Sequence, residues 1–257
     1  MTCGICENSM RGVGTQRLLG KYSVEYFFCD GCHYWTTEPP YWLDEAYADA
    51  ITQTDTGIVE RNVSLAKQLL PVLAGMRTST RHHYVDWAGG SGLFVRLMRD
   101  YGLEFLWQDR FSENLFARGF EFSQGNDSAS ICAVTALEAL EHAPDPVSFL
   151  SEIFDMTGTT DVILTQELHH GVDFDWWYLS QTGGQHVSFF AARTLSELAS
   201  RIGTRVYSRG SLHLFTKRDV KDDWFSRQMR LARFRYPLVK RGLTSLTWSD
   251  HESLTRT

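Results

Sequence analysis

The sequence predicts an α/β fold: an open, largely parallel sheet with helices on both faces, preceded by a small cysteine-rich module. Three observations predict it. From His82 onward, strand-like and helix-like segments alternate, as in a parallel sheet covered by helices. One strand-like segment runs into the densest glycine cluster of the chain, VDWAGGSGLF at 85–94. Four of the five cysteines form two C-x-x-C pairs, Cys3 with Cys6 and Cys29 with Cys32.

The elements follow in order. Residues 1–38 read as a small module with β-like runs such as RLLGKYSVEYFFC, whose small core a metal would reinforce. The stretch EPPYW breaks the chain and opens a helical linker or lid region over 39–80. Within it, Leu43, Ala46, Tyr47 and Ile51 share one helical face, and a longer helix is expected from about Ile58 to Leu73. Residues 81–218 carry the alternating pattern. HHYVDWA, LEFLWQD, ASICAVTAL and TDVILTQEL read as strands. LFVRLMRDYG, SENLFARGF with Ser112 as cap, the proline-started PDPVSFLSEIFDMT and RTLSELASRIG read as helices. RVYSRG and SLHLFTKR read as a hairpin. Residues 219–257 form a basic helical extension with Arg227, Arg230 and Arg233 on one side.

Composition narrows the function. The 257 residues are 43% hydrophobic, enough for a packed core, and the formal charge of −6 counts against wholesale nucleic-acid binding. No apolar run is long enough to span a bilayer and no signal-peptide pattern opens the chain, so a soluble, cytoplasmic protein is expected. In that setting two C-x-x-C pairs favour a metal over disulfides. Four thiolates match tetrahedral Zn2+ and leave no open position, so Cys3, Cys6, Cys29 and Cys32 are expected to form a structural, zinc-ribbon-like site. The alternative is four reduced, unliganded thiols. Cys132, in an apolar run, is expected to be a core thiol.

The glycine turn lies where open parallel sheets bind ligands, outside the carboxyl end of a strand. The dinucleotide pattern G-x-G-x-x-G fails, because Val95 or Leu93 stands where the third glycine belongs. An acid followed by G-x-G-x-G fits better: Asp86, then Ala88, Gly90 and Gly92, with alanine for the first glycine. A second acid should close the next strand and hold ribose hydroxyls, and Asp109 stands 17 residues beyond Gly92.

With these residues the chain resembles class I S-adenosylmethionine-dependent methyltransferases, whose sheet is Rossmann-like. TALEALEHAPDPVSFLSEI looks like the family segment TAFEVLEHxxDP, and WWYLSQTGGQHVSFFAARTLSELA is similar to a late segment of a subset with a QH(I/V)SF core. PYWLDEAY and TDTG resemble the lead-in of that subset. An N-terminal four-cysteine zinc module also occurs in relatives such as sugar C-methyltransferases. The resemblance extends to about residue 217, and Ala88 is its clearest departure. It implies S-adenosyl-L-methionine as cofactor. Asp86, Ala88, Gly90 and Gly92 would line its methionine portion, and Asp109 its ribose. Arg110 and Phe111 would lie near adenine, and Ala136, Leu137 and Glu138 near the sulfonium.

Transfer to a hydroxyl or an activated carbon needs a base near the strand ends. His186, after a glycine pair, is the first candidate, followed by His169 and His170. Each has a structural alternative as a hydrogen-bonding side chain. The rings of Tyr47, Trp176, Trp177 and Tyr178 suit a sugar or nucleotide-sugar acceptor, or else plug the core. The expected function is methylation of such a small molecule. Two alternatives stand beside it: nucleic-acid modification with the zinc module as reader, and a non-enzymatic binding protein on the same fold.

Overall fold

The computed structural model describes residues 1–48, 55–125 and 130–256. Ile51, Thr54 and Ala129, which the sequence reading touches, lie outside these residues.

Two sheets organise the chain. The first is antiparallel, with strands β1 (Arg11–Leu18), β2 (Tyr22–Phe28), β3 (Trp35–Thr37) and β8 (Ser188–Phe189) in the order β1-β2-β3-β8. Its fourth strand comes from far along the chain, so the module read as residues 1–38 completes its sheet with residues 188–189.

The second sheet has six strands. In chain order these are β4 (His83–Trp87), β5 (Glu104–Gln108), β6 (Ile131–Ala136), β7 (Asp161–Thr165), β9 (Arg205–Arg209) and β10 (Leu212–Thr216). In space they run β5-β4-β6-β7-β10-β9. The first four are parallel, and β10 is antiparallel to both neighbours. The chain passes from β4 to β5 on one side and to β6 on the other. That reversal opens a crevice at the carboxyl end of β4.

Side chains alternate across the pleat and build a core on each face. Tyr84, Phe105, Ala133, Ile163 and Leu214 pack under α2 (Ile58–Ala74), α3 (Leu93–Asp100) and α6 (Trp224–Gly242). Val85, Val134, Val162 and Phe215 pack under α4 (Pro146–Thr157) and α5 (Ala192–Arg201). This second core also takes in Cys3, Ile5, Cys29, Cys32 and Tyr34, so the cysteine module is docked against the sheet domain. Cys132 is buried in the first core.

Local sequence explains the bounds of α4. Asp145 caps α4 by accepting a hydrogen bond from Ser148 N, with Pro146 in the first turn, and Gly158 ends it in the left-handed conformation. Only Leu43–Ala46, α1, is helical in the described part of the first predicted helix. SENLFARGF is not a helix. The amides of Leu115 and Phe116 donate to the Ser91 carbonyl, and the Asn114 side chain caps Ala117 N, so turns replace helical bonds. At the other end, α7 (Thr247–Thr255) inserts Asp250 against Arg99, with contacts of 2.8 and 2.6 Å, and Arg96 adds a third at 2.8 Å. Burial alone would raise the Asp250 carboxyl, but the two guanidiniums hold it below the usual range. The basic extension is thereby fastened to the sheet domain.

Candidate active site

The crevice at the end of β4 is a cleft of about 350 Å3. The glycine turn supplies Ala88, Gly89, Gly90 and Ser91. Helix α2 supplies Ile58, Arg61, Asn62 and Leu65, and the end of β6 supplies Leu137 and Glu138. Its size falls within the range of small-molecule sites.

Asp109 holds the turn in shape. Its Oδ2 accepts from Gly90 N at 2.9 Å, and its Oδ1 accepts from Phe111 N at 2.7 Å and Ser112 N at 2.8 Å. A carboxylate has about four lone-pair sites, so capacity remains for a ligand hydroxyl. Gly92 stands at φ 83°, and a Cβ there would lie 2.7 Å from Asn114 Oδ1, so this position requires glycine. Ala88 also takes the left-handed conformation, at φ 56°, without being glycine.

Asp86 is buried, and its Oδ1 accepts from Thr135 Oγ1 at 2.6 Å. Burial pushes its carboxyl up to about 7. Arg61 faces it across the cleft from α2, paired with Asp55 at 3.1 and 2.9 Å and lying 4.0 Å from Glu138. These groups suit a nucleoside bearing an amino acid: carboxylate acceptors for hydroxyls, amides at a turn, and a guanidinium for a carboxylate.

Beyond Glu138 the cleft meets a second cluster. Glu141 is fully buried; its Oε1 accepts from Tyr178 OH at 2.8 Å and its Oε2 has no hydrogen-bond partner. Burial raises the carboxyls of both Glu138 and Glu141, and the charge of Glu141 raises Glu138 further. His142 Nδ1 lies 2.9 Å from Tyr47 OH, and burial depresses its ring to about 3. His186 Nδ1 lies 2.6 Å from the Tyr178 carbonyl, and its ring sits 4.9 Å from that of His142.

The structure brings together part of the expected set. Asp86, Ala88, Gly90, Leu137 and Glu138 line the cleft, while Asp109 and Gly92 shape its turn. Ala136, expected beside the sulfonium, is instead fully buried in the sheet core. Arg110 turns away to pair with Glu152. Phe111 is 82% exposed and stacks on Tyr47 at 5.9 Å.

His186 and Tyr47 join the acceptor-side cluster; the other two histidines do not. His169 is buried between Phe28, Trp35 and Trp176, with Nε2 on the His33 carbonyl at 3.0 Å and its ring depressed to about 4. Those contacts make it a packing residue between the cysteine module and the sheet domain. His170 is exposed. The aromatic triplet divides: Tyr178 is buried against Glu141, Trp176 is packed among rings, and Trp177 is 75% exposed.

The four cysteine sulfurs converge. Cys3 and Cys32 lie 3.6 Å apart, Cys6 and Cys29 3.4 Å, and all four within 4.8 Å of one another. Tetrahedral zinc with bonds of about 2.3 Å spaces its sulfurs by roughly 3.8 Å, so the donor set fits. Each pair forms the same knuckle. Glu7 N donates to Cys3 O and His33 N to Cys29 O, and both residues after the pairs are left-handed. Amides of Ile5 and Cys6 point at the Cys3 sulfur, and those of Gly31 and Cys32 at Cys29.

Residues 59–209 match a protein family described as a methyltransferase domain, more than half of the chain. The chain belongs to this methyltransferase family. No curated protein sequence matches it. Among solved structures, its methyltransferase domain is similar to a Burkholderia thailandensis 1,6-didemethyltoxoflavin-N1-methyltransferase with bound S-adenosylhomocysteine. Identity is 14% over 79% of this chain and 97% of that one, with a TM-score of 0.48. A magnesium protoporphyrin IX methyltransferase from Synechocystis is 11% identical over 68% and 90%, with a TM-score of 0.40. A methyltransferase of calicheamicin biosynthesis is 15% identical over 68% of this chain, with a TM-score of 0.41. The chain spans 60% of that protein's length.

Two predictions follow from the turn. Asp86 holds a proton in the folded chain up to about pH 7, but loses it near pH 3.9 when unfolded. The contribution of Asp86 to stability is therefore fully present below about pH 4 and falls as pH rises through that window. In the cofactor-free protein, urea unfolding should show a loss of about 3 kcal/mol between pH 5 and pH 8 that Asp86→Asn removes. Ala88→Gly should raise stability by up to about 1 kcal/mol in thermal melts, because relieving a left-handed alanine outweighs the added chain entropy. A loss of stability would mean that the alanine side chain is packed rather than strained.

Proposed function

We propose that this chain transfers a methyl group from S-adenosylmethionine to a small-molecule acceptor. The observation that carries the reading is the cleft at the end of β4, where Asp86, Arg61 and the left-handed glycine turn, gripped by Asp109, surround one nucleotide-sized space. Asp109 would bind ribose hydroxyls with its remaining lone pairs. Phe111 offers an exposed ring to adenine, and Arg61 a guanidinium to the methionine carboxylate. When bound, the cofactor supplies an electrophilic methyl group on a sulfonium.

The acceptor reading rests on the neighbouring cluster. Exposed Trp177 presents an aromatic face suited to the apolar side of a sugar, and a sugar or nucleotide-sugar is the acceptor class we favour. In this reading His186 takes the acceptor's proton. The Tyr178 carbonyl can only accept, so it engages Nδ1–H and leaves the Nε2 lone pair of the neutral ring open.

Calorimetry with S-adenosylhomocysteine tests the cofactor site. Wild type should bind, and Asp109→Ala should bind at least tenfold more weakly, given about 1.5–3 kcal/mol for hydrogen bonds to a charged group. Absence of binding by the wild type would sink the reading. With nucleotide-linked sugars as acceptors and methyl-labelled cofactor, His186→Ala should lose about 10²–10⁴-fold in turnover while keeping its S-adenosylhomocysteine affinity.

We also propose that the four cysteines hold one zinc ion whose role is structural. Metal analysis should find about one zinc per chain, lost in Cys3→Ser together with several kcal/mol of stability. Unchanged metal content and an unchanged melting temperature would remove the zinc assignment.

A further inference from the structure

The acceptor-side cluster also forms a donor set that shares only His186 with the methyl-transfer reading. Glu141, His142 and His186 each present one ligand atom, and the three atoms lie within 4.8 Å of one another. We infer that these three side chains form a binding site for a divalent first-row transition-metal ion, a two-histidine, one-carboxylate site beside the cleft.

Four observations carry this. First, Glu141 is fully buried, yet its Oε2 has no partner. A buried carboxylate oxygen left unsatisfied is costly unless a cation or donor meets it. Second, both imidazoles are oriented from behind. His186 Nδ1 is engaged by the Tyr178 carbonyl at 2.6 Å, and His142 Nδ1 by Tyr47 OH at 2.9 Å. With Nε2 as the ligand atom of each ring, the nitrogen that does not bind the ion is held in this way, as in metal-bound histidines. Third, the other oxygen of Glu141 is fixed by Tyr178 OH at 2.8 Å, so the carboxylate too is aligned by an outer hydrogen bond. Fourth, His142 and His186 are only partly buried, which leaves a route for an ion and open positions for further ligands. Metal–ligand bonds of about 2.1 Å place neighbouring ligand atoms roughly 3 Å apart, so small side-chain rotations close the set around an ion.

The donor types select the metal. Mixed imidazole and carboxylate ligands with vacant positions suit Mn2+, Fe2+, Co2+ or Ni2+, and Zn2+ as well, so this site differs from the four cysteines in donor type and open positions. A hydroxyl acceptor that joined the ion would be acidified by its charge, and His186 would then act as ligand rather than base. Ion binding itself stands apart from the methyl-transfer reading; only this use of it rests on that reading.

The test uses the full-length, zinc-loaded protein titrated with MnCl2, with free Mn2+ followed by electron paramagnetic resonance. A parallel titration with CoCl2 is followed by visible absorbance. The expected result is one additional ion per chain. Glu141→Gln and His186→Asn should each weaken it at least tenfold, with zinc content and S-adenosylhomocysteine affinity unchanged. Circular dichroism reports folding; if Glu141→Gln does not fold, partly exposed His186→Asn carries the comparison. Wild type that binds neither ion at millimolar concentration, or variants that bind as well as wild type, would overturn the site. Failure of wild type to bind S-adenosylhomocysteine would strike the methyl-transfer reading alone.

Discussion

The buried Glu141 residue is the point at which the two sheets of this protein are fastened together. Its carboxylate accepts from Tyr178 OH, and its backbone carbonyl accepts from Val187 N. Val187 in turn accepts from Thr37 N and Thr36 Oγ1, which belong to the cysteine-module sheet. One residue later, Ser188 links Tyr34 OH to the Ala143 carbonyl. The segment after β7 is therefore clamped between β3 on one side and the turn after β6 on the other. Full burial raises the Glu141 carboxyl, and its desolvation is a fixed cost of the arrangement. His186 owes its position beside the cleft to this clamp.

That clamp changes what the cysteine site does. Cys32 O accepts from Thr194 Oγ1 at the start of α5, and His33 O meets His169. The knuckles thus dock on the sheet domain and hold β3, which pairs with β8. Metal binding there would act on the acceptor end through backbone pairing, at a distance from any chemistry. A structural metal can in this way govern activity without touching substrate.

Sequence carried the parts of this architecture whose causes are local. The strand–turn–helix at 83–100, the capped α4 and the β9–β10 hairpin follow from alternation, a capping aspartate and glycine punctuation, and they fold as read. SENLFARGF has helical composition, but Ser91 offers its amides a better carbonyl, a contact that no local pattern shows. Arg61 and Asn62 escaped notice because only the docking of α2 turns that face of the helix toward the cleft. The histidines are the sharpest case. QELHH and GGQHVS both offer a loop base, the second ranked first on its glycine pair alone; His169 is sealed by three aromatic rings while His186 meets His142. The difference is set by the pairing of β3 with β8, for example Thr36 with Ser188, 152 residues apart in sequence. Of WWY, composition alone could not say that Tyr178 goes inward and Trp177 outward.

Backbone strain falls where these arguments place chemistry. Six described residues other than glycine have left-handed φ: Glu7, Leu19, His33, Ala88, Glu138 and Ser180. Glu7 and His33 follow the two cysteine pairs, and Ala88 and Glu138 stand just beyond the carboxyl ends of β4 and β6, facing one cleft. Each such conformation costs on the order of 1 kcal/mol or more and persists only where neighbours over-determine it. At Glu138 the neighbour is Thr165 Oγ1, which accepts its amide at 2.6 Å; at the turn it is Asp109, gripping Gly90. A chain held together only by its core would have no reason to bend these strand ends so sharply. Bending them exposes amides and carboxylates to a common space, and the strain at Ala88 and Glu138 is the cost of opening it.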